Sequence, residues 1–316
     1  MNGMISLKKF FILLSLSIFL TSAVSCNKED DVKKKNTQKS SSSVADSIAD
    51  KTENQITQNT INNKKPDISL PENISPAKSN YVMDDAKLLS ADELSMCNNY
   101  AEWIYKNYLI NIYIATADNL GELSPHNYAQ NIYNEQYGGL GSGMVILINN
   151  ATNNDYIYKQ GRCENIDSTA ETSAFLSATK TIINYNSYGA GIIELMKLAE
   201  SLPQHICDNA GLFKAEEISI LEELCKDKNV SLLITKNSSS KSDEEICREY
   251  FDRRFADTAG SANTLILLNT VTGKFTVISD STQDYQAKIN ECNKLTVSKK
   301  YLEACKSIIS FFTEQV

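Results

Sequence analysis

Apolar residues recur along the chain with two different spacings. Between residues 94 and 108, after Ser90, they follow each other at intervals of three or four, which predicts a helix with one buried face. Residues 110–115, apart from Asn111, and residues 144–148 are apolar runs rich in β-branched side chains, as in buried strands. Helical and strand patterns alternate through the rest of the chain, and this alternation predicts an α/β fold.

The same order of elements occurs twice. Residues 208–217 repeat the pattern of 84–93, and the first Asp of each segment lies 124 positions apart (208 minus 84). The run Gly-Ser-Gly at 141–143, before one apolar strand, is matched by Gly-Ser-Ala at 260–262 before another. An echo over about a hundred residues indicates a duplicated domain rather than a solenoid, whose units are shorter. We therefore expect two tandem domains, each a small β-sheet covered by helices on both faces.

The first 26 residues have the pattern of an export signal. Lys8 and Lys9 precede an apolar run, residues 10–20, which is short for a membrane span. Small residues directly before Cys26 resemble the bacterial lipobox, in which the signal is removed and the cysteine is lipidated. The prediction is a lipid-anchored protein of the bacterial cell envelope, facing the periplasm or the exterior. The alternative is an ordinary signal peptide followed by an incidental cysteine.

Residues 27–80 are predicted to be a disordered tether. They contain no aromatic residue and three of the chain's five prolines, and such a composition cannot bury enough apolar surface to offset the entropy of ordering. A folded N-terminal element is the alternative. Beyond the tether, residues 81–207 form the first predicted domain and residues 208–316 a shortened, degenerate copy of it.

Charge excludes one class of partner. The chain of 316 residues has a formal net charge of −8, and residues 1–80 carry +3, which leaves −11 for residues 81–316. An acidic folded part cannot neutralise phosphates, so we expect no nucleic-acid partner.

Few residues are available for metal or nucleophilic chemistry. His126 and His205 are the only histidines, so neither a histidine-rich zinc site nor a Ser-His-Asp set can be assembled. The eight cysteines include no Cys-x-x-Cys pair, and no Walker or dinucleotide motif is present.

Two adjacent acids follow the first predicted strand. Asp84 and Asp85 could bind Ca²⁺ or Mg²⁺ through oxygen, or one of them could act as a catalytic acid or base. The alternative is that an aspartate here fixes a turn. The second copy keeps Asp208 but has Asn209 in place of the second acid, so Asp85 is the more distinctive residue.

Further polar residues end or follow the next predicted strands. Asp118, Asn149, Asn150 and Asp155 are candidate ligand-binding residues, because ligands of open α/β sheets gather at such strand ends. The alternative is that they are ordinary turn residues. The glycine loop 141–143 could approach a phosphate through its backbone amides, or simply be a mobile connection.

These motifs together resemble the TPM domain family, which includes thylakoid-lumen acid-phosphatase-like proteins and many exported bacterial proteins. The sequence VMDDAKLLS at 82–90 is similar to the family's opening signature, and GMVILI at 143–148 to its glycine and central strand. GRCE at 161–164 is similar to the Gly-x-Gly-x-Glu that follows, with Cys163 replacing the second glycine. Gly141-Ser142 stands where the family often has Asp-Asn, a departure that weakens the case for activity.

Two hypotheses of function remain from the sequence. In the first, the tethered domains are an interaction or scaffold module that binds other proteins of the envelope. In the second, implied by the resemblance, the first domain is a metal-dependent phosphatase that hydrolyses phosphomonoesters through Asp84 and Asp85. The fold transfers between members of a family more safely than the activity does.

Overall fold

The computed structural model describes residues 68–314, apart from 73, 139, 140, 153, 238, 239, 257 and 259–261. The predicted signal with Cys26, and the predicted tether up to residue 67, lie outside the described residues. Within the described part, no helix is both long and apolar enough to cross a membrane.

The first unit contains four strands and four α-helices among the described residues. In chain order they are β1 (Val82–Asp84), α1 (Ala91–Tyr108), β2 (Asn111–Ala117), α2 (Pro125–Tyr137), β3 (Gly143–Asn149), β4 (Tyr156–Gln160), α3 (Ser168–Tyr185) and α4 (Tyr188–Met196). Short 3-10 turns follow β4 (Gly161–Asn165) and α4 (Lys197–Ser201).

The second unit repeats this plan in the described part of the chain. Its elements are β5 (Ile206–Asp208), α5 (Ala215–Cys225), β6 (Val230–Thr235), α6 (Asp243–Arg254), β7 (Thr264–Asn269), β8 (Lys274–Ser279), α7 (Gln286–Val297) and α8 (Tyr301–Thr313).

Both sheets have the same topology. The strand orders are β1-β2-β3-β4 and β5-β6-β7-β8, with the first three strands parallel and the fourth antiparallel to the third. In the first unit α1, α3 and α4 pack on one face and α2 on the other. In the second unit α5, α7 and α8 cover one face and α6 the other. The prediction of two tandem α/β domains with helices on both faces is confirmed.

The predicted start of the first long helix is also confirmed. The Ser90 hydroxyl accepts from the Glu93 amide, and the Glu93 carboxylate accepts from the Ser90 amide, which is a capping box. The other oxygen of the Glu93 carboxylate accepts from the Ser187 hydroxyl (2.6 Å) and the Gly189 amide (3.0 Å). One acid therefore caps α1 and attaches the start of α4 to it.

A third core joins the two units. Tyr105 and Leu109, from the end of α1, are buried with Phe251 of α6 and with strand residues of the second sheet. The guanidinium of Arg253 lies 3.3 Å from the centroid of the Tyr105 ring, a cation–π contact. The copies are thus packed against each other through apolar side chains and not only linked by the chain.

Two buried arginines bind the end of α1 at this junction. Arg162 donates to the carbonyl oxygens of Tyr108 and Pro203, the latter at 2.7 Å, and Arg254 of the second unit donates to that of Asn107 (2.8 Å). The last carbonyls of a helix lack helical partners and carry its partial negative charge, so cations are favoured there. These bonds explain how two guanidinium groups are accommodated at 5 % and 8 % exposure.

The end of the predicted tether packs against the first unit. Ile68, Leu70, Ile74 and Ala77 are half-buried against its core, and the Ala77 amide donates to the Asn99 side chain (2.8 Å). The expectation of disorder up to residue 80 is therefore wrong for these residues, because their apolar side chains find a surface that the local composition did not reveal.

Strand register refines the correspondence between the copies. Ala117 pairs with Asn149, and Thr235 pairs with Asn269, so the third strands of the two sheets lie 120 residues apart (269 minus 149). The expected match of Gly143 with residue 262 is therefore wrong by one position. The second sheet begins at β5, so the sheets change before the predicted boundary at 207–208.

Candidate functional site

The carboxyl ends of β1, β2 and β3 lie at one edge of the first sheet, because the three strands are parallel. Asp84 is level with Thr116, and Ala117 with Asn149. We call the residues that end or follow these strands, together with Asp155, the first-copy edge. All of the sequence-predicted site residues within the described part, 84, 85, 118, 149, 150 and 155, belong to it.

Asp84 fixes the turn that follows β1. One carboxylate oxygen accepts from the Leu88 amide and the other from the Leu89 amide, each at 3.0 Å, and the Thr116 hydroxyl also donates to it. The second copy repeats this arrangement, since the Asp208 carboxylate accepts from the amides of residues 210 (3.2 Å) and 213 (2.9 Å). These contacts match the turn-fixing alternative for Asp84.

Asp85 is exposed and makes a different set of contacts. Its backbone amide donates to the Thr116 carbonyl (3.2 Å), and its side chain lies at the surface. Burial raises the pKa of Tyr113, and the charges of Glu135 and Asp85 add to this. Burial and the Asp85 charge likewise raise the pKa of Tyr128. Asp85 is thus near enough to these tyrosines of β2 and α2 for its charge to affect their pKa values.

Asp155 has the most perturbed carboxyl of this edge. Burial raises its pKa to about 7, although the Asn149 amide, which donates to its Oδ1 (2.9 Å), acts in the opposite direction. A carboxyl with such a pKa can give or take a proton near neutral pH. It lies at the start of β4, where the sequence predicted only a turn or ligand residue.

Asn149 is the residue of the edge whose bonding is least complete. It is 2 % exposed, and its Nδ2 donates to the Thr152 hydroxyl (2.6 Å), but its Oδ1 has no hydrogen-bond partner among the described residues. Nearby, Asn150 donates from Nδ2 to Asp118 Oδ1 (2.6 Å). A buried polar atom without a partner is costly, and in native proteins it often marks a place where something else binds.

The matching residue of the second copy is fully bonded. Asn269 donates from Nδ2 to both carboxylate oxygens of Asp243, at 2.9 and 3.2 Å, and to the Asn237 carbonyl (3.3 Å). Its Oδ1 accepts from the Val271 amide (2.9 Å). Asp243, the first residue of α6, therefore completes this edge, whereas among the described residues no carboxylate bonds to the Asn149 side chain.

The residues present do not form a metal centre. Among the described residues, no group of three or more His, Cys, Asp or Glu side chains could hold a metal ion. The oxygens of Asp84 already accept backbone amides, so the predicted Asp84–Asp85 pair offers little to Ca²⁺ or Mg²⁺, which require several oxygen ligands.

The glycine loop is not part of this edge. Gly143 is level with Asn111, the first residue of β2, so the loop lies at the opposite, amino edge of the sheet. There Ser142 donates from its hydroxyl to Asn209 Oδ1 of the second copy (2.5 Å). The glycine loop is therefore separated from the acids of the first-copy edge, and its predicted approach to a phosphate stays a prediction. The contact of Asn209 has no signal in the sequence, because it depends on how the copies pack.

Comparison with known proteins supports the resemblance of the first unit to the TPM domain. A sequence model of the TPM domain matches residues 82–201. No curated protein matches the chain.

Similar solved structures include two solution NMR structures of N-terminal domains. One, of a protein from P. gingivalis, is 13 % identical over 38 % of this chain and 80 % of its own, with a TM-score of 0.34. The other, from Corynebacterium glutamicum, is 11 % identical over 47 % of this chain and 91 % of its own, with a TM-score of 0.32.

Proposed function

We propose that this protein is a lipid-anchored binding module of the bacterial cell envelope, and that the first-copy edge is its binding surface. The observation that carries the proposal is the contrast between Asn149 and Asn269. The same residue, at the same place in the same topology, has a free buried oxygen in one copy and is fully bonded in the other. Because Asn149 is 2 % exposed, a protein partner could donate to its Oδ1 only after the neighbouring turn moved aside, and the bond would then remove the cost of leaving this oxygen unpaired.

The surroundings of Asn149 indicate the kind of partner. Asp85 and Asp118 contribute carboxylates, and tyrosines of β2 and α2 lie beside Asp85. Aromatic and acidic groups at one edge favour a partner surface with basic and hydrogen-bond-donating side chains.

Anchoring follows from the sequence pattern around Cys26. A tether attached to a lipidated cysteine would hold both units near the membrane and restrict the search for envelope partners. Replacing Cys26→Ala should release the protein from the membrane fraction or leave its precursor uncleaved. Unchanged fractionation together with unchanged labelling by a palmitate analogue would contradict the anchor but not the binding surface.

The phosphatase alternative has less support. The Asp84 carboxylate already accepts from two backbone amides of the turn, and the Asp85 side chain is exposed. The described residues contain no cluster of side chains that could hold a metal ion. Among the described residues of this edge, proton transfer through Asp155, whose pKa burial raises to about 7, is the step of hydrolysis that finds support.

Site-specific photo-crosslinking in the producing cells tests the binding surface. A photo-reactive amino acid in place of Asn150 should give a crosslinked product of higher mass. Thr270 is the matched control, because its amide bonds to the end of β6 as the Asn150 amide bonds to the end of β2. We expect no product from Thr270, and loss of the Asn150 product when Asn149→Leu is added.

Equal products from both positions, or none from either, would contradict the proposal. A product from Asn150 that survives Asn149→Leu would show that the edge is close to a partner but that Asn149 is not the residue that binds it.

A further inference from the structure

The outer edge of β8 is open in the second unit. β8 is the last strand of its sheet, and among the described residues no strand pairs with its other side. A groove of about 350 Å³ runs beside it, lined by Phe275 to Ser279 and, on either side, by Glu244 and Arg248 of α6 and Tyr285 and Ile289 of α7. Such an edge is a template for a further strand.

The backbone of β8 shows which groups point into this groove. The Phe275 amide donates to the Asn293 side chain (2.9 Å) and not to β7, whereas the Asp280 amide donates inward to the Asn263 carbonyl (3.0 Å). Since alternate residues of a strand point their amides to opposite sides, Val277 and Ser279 face the groove like Phe275. Val277 is the middle residue of this set.

The charged residues around Val277 form a self-complementary pattern, in which a second copy of the chain would present the opposite charges. Lys274 and Asp280, both exposed, lie three residues to either side of it. On α6, Glu244 and Arg248 are exposed one turn apart, and neither has an ion-pair partner in the described part of the chain. A two-fold axis through Val277 would bring each of these charges opposite its counterion in a second molecule.

The matching edge of the first copy has side-chain contacts beside it. There the Lys159 ammonium pairs with the Glu171 carboxylate (2.6 Å), and the Tyr156 hydroxyl bonds to His126 Nδ1 (3.0 Å). β4 is, like β8, an outer strand of its sheet, and these side-chain contacts lie along it within its own unit.

We propose that β8 is the contact surface for a second copy of this chain. The two β8 strands pair antiparallel about Val277, and the sheets continue from one molecule to the other. The two α6 helices then lie side by side, with Glu244 of each facing Arg248 of the other. This isologous arrangement closes after two molecules, and in it the Phe275 amide of each molecule exchanges its bond to Asn293 for one to the other β8 strand. The first-copy edge of each molecule stays free for partners.

A charge exchange tests this pairing in the full chain. Sedimentation in a density-matched non-ionic detergent should show a concentration-dependent dimer. Glu244→Arg should raise its dissociation constant by about tenfold or more, because it places like charges together twice across the axis. Combining Glu244→Arg with Arg248→Glu should restore the dimer, since opposite charges again meet. Thermal melting of each variant checks that it is folded.

A chain that stays monomeric at every concentration would overturn the proposal. So would a dimer that Glu244→Arg leaves unchanged, because its interface would lie elsewhere. A dimer that the single variant weakens and the double variant does not restore would overturn the two-fold pairing about Val277.

Discussion

The two carboxyl edges of this molecule begin with the same residues and end with different bonding. Asp84 and Asp208 fix the same turn through backbone amides, so an aspartate at this position is retained for structure. Asn149 and Asn269 end corresponding strands, but among the described residues a carboxylate, that of Asp243, accepts from the side chain of Asn269 and none accepts from the side chain of Asn149. The aspartates are therefore required by the fold in both copies, whereas the unpaired side-chain oxygen of Asn149 is a feature of the first copy.

The residue after each of these aspartates also differs between the two copies. Asp85 is exposed at the first-copy edge, whereas its counterpart Asn209 accepts a hydrogen bond from Ser142 of the other unit. Part of the second copy's edge is therefore covered by the first copy. Duplication has given one edge that faces solvent and one that serves packing.

The largest expected effect comes from the junction that holds the copies together. Arg162→Leu should lower the free energy of unfolding by about 3 kcal/mol, because buried carbonyls at the end of α1 and near Pro203 lose their donor. Urea unfolding measures it. The control is Thr282→Ala, the exposed position 120 residues later in the second copy, which should change stability by less than about 0.5 kcal/mol. Equal effects would mean that the junction is not held by Arg162.

Exchanging the two asparagines for leucine sharpens the comparison. Asn269→Leu should cost about 2 kcal/mol, since the Val271 amide loses its acceptor and the Asp243 carboxylate loses one of its two side-chain donors, keeping Asn237. Asn149→Leu should cost less than about 1 kcal/mol, because it removes an oxygen that already lacks a protein partner. Thermal and urea unfolding of both variants show which substitution lowers the free energy of unfolding more. If Asn149→Leu were the more costly change, its Oδ1 would have to be bonded within the chain.

The sequence predicted the fold well and the site only in part. Spacing of apolar residues located the helices and strands, and the echo of 84–93 revealed the duplication. Parallel strands then bring residues 84, 118 and 149 to one edge, as expected. What spacing cannot convey is which side chains are already bonded, and the roles of Asp243 and Asn209 depend on contacts between elements far apart in the sequence.

The pH dependence of stability offers a smaller test on the first-copy edge. Burial raises the pKa of Asp155 to about 7, above its value in the unfolded chain. The folded state therefore binds the extra proton between about pH 4 and 7, and stability falls as pH rises through that window. Asp155→Asn should remove this loss, stabilising the protein at about pH 8 by about 1 kcal/mol, while changing little at about pH 4.

Asp167 provides the matched control for that experiment. It caps α3 with its side chain, and hydrogen bonds from the backbone and side chain of Thr169 lower its pKa. Its contribution has the opposite sign, being present above the unfolded pKa and lost as pH falls. Asp167→Asn should therefore give no gain at alkaline pH. A gain of equal size in both variants would reflect net charge and not the burial of Asp155.

The smallest expected effect is at the residue that the sequence made most prominent. Asp85→Asn copies the second unit's Asn209 and should change the free energy of unfolding by less than about 0.5 kcal/mol, because the side chain is exposed. Asp84→Asn is the informative contrast. An amide there turns a donor toward the Leu88 or Leu89 amide, and we expect a loss of about 1 to 2 kcal/mol.

With Ca²⁺ or Mg²⁺, the wild-type chain should not hydrolyse a phosphomonoester, since the described edge supplies no set of metal ligands. Metal-dependent turnover that Asp85→Asn abolishes, with folding intact, would restore the phosphatase hypothesis and give the difference between Asp85 and Asn209 a catalytic meaning.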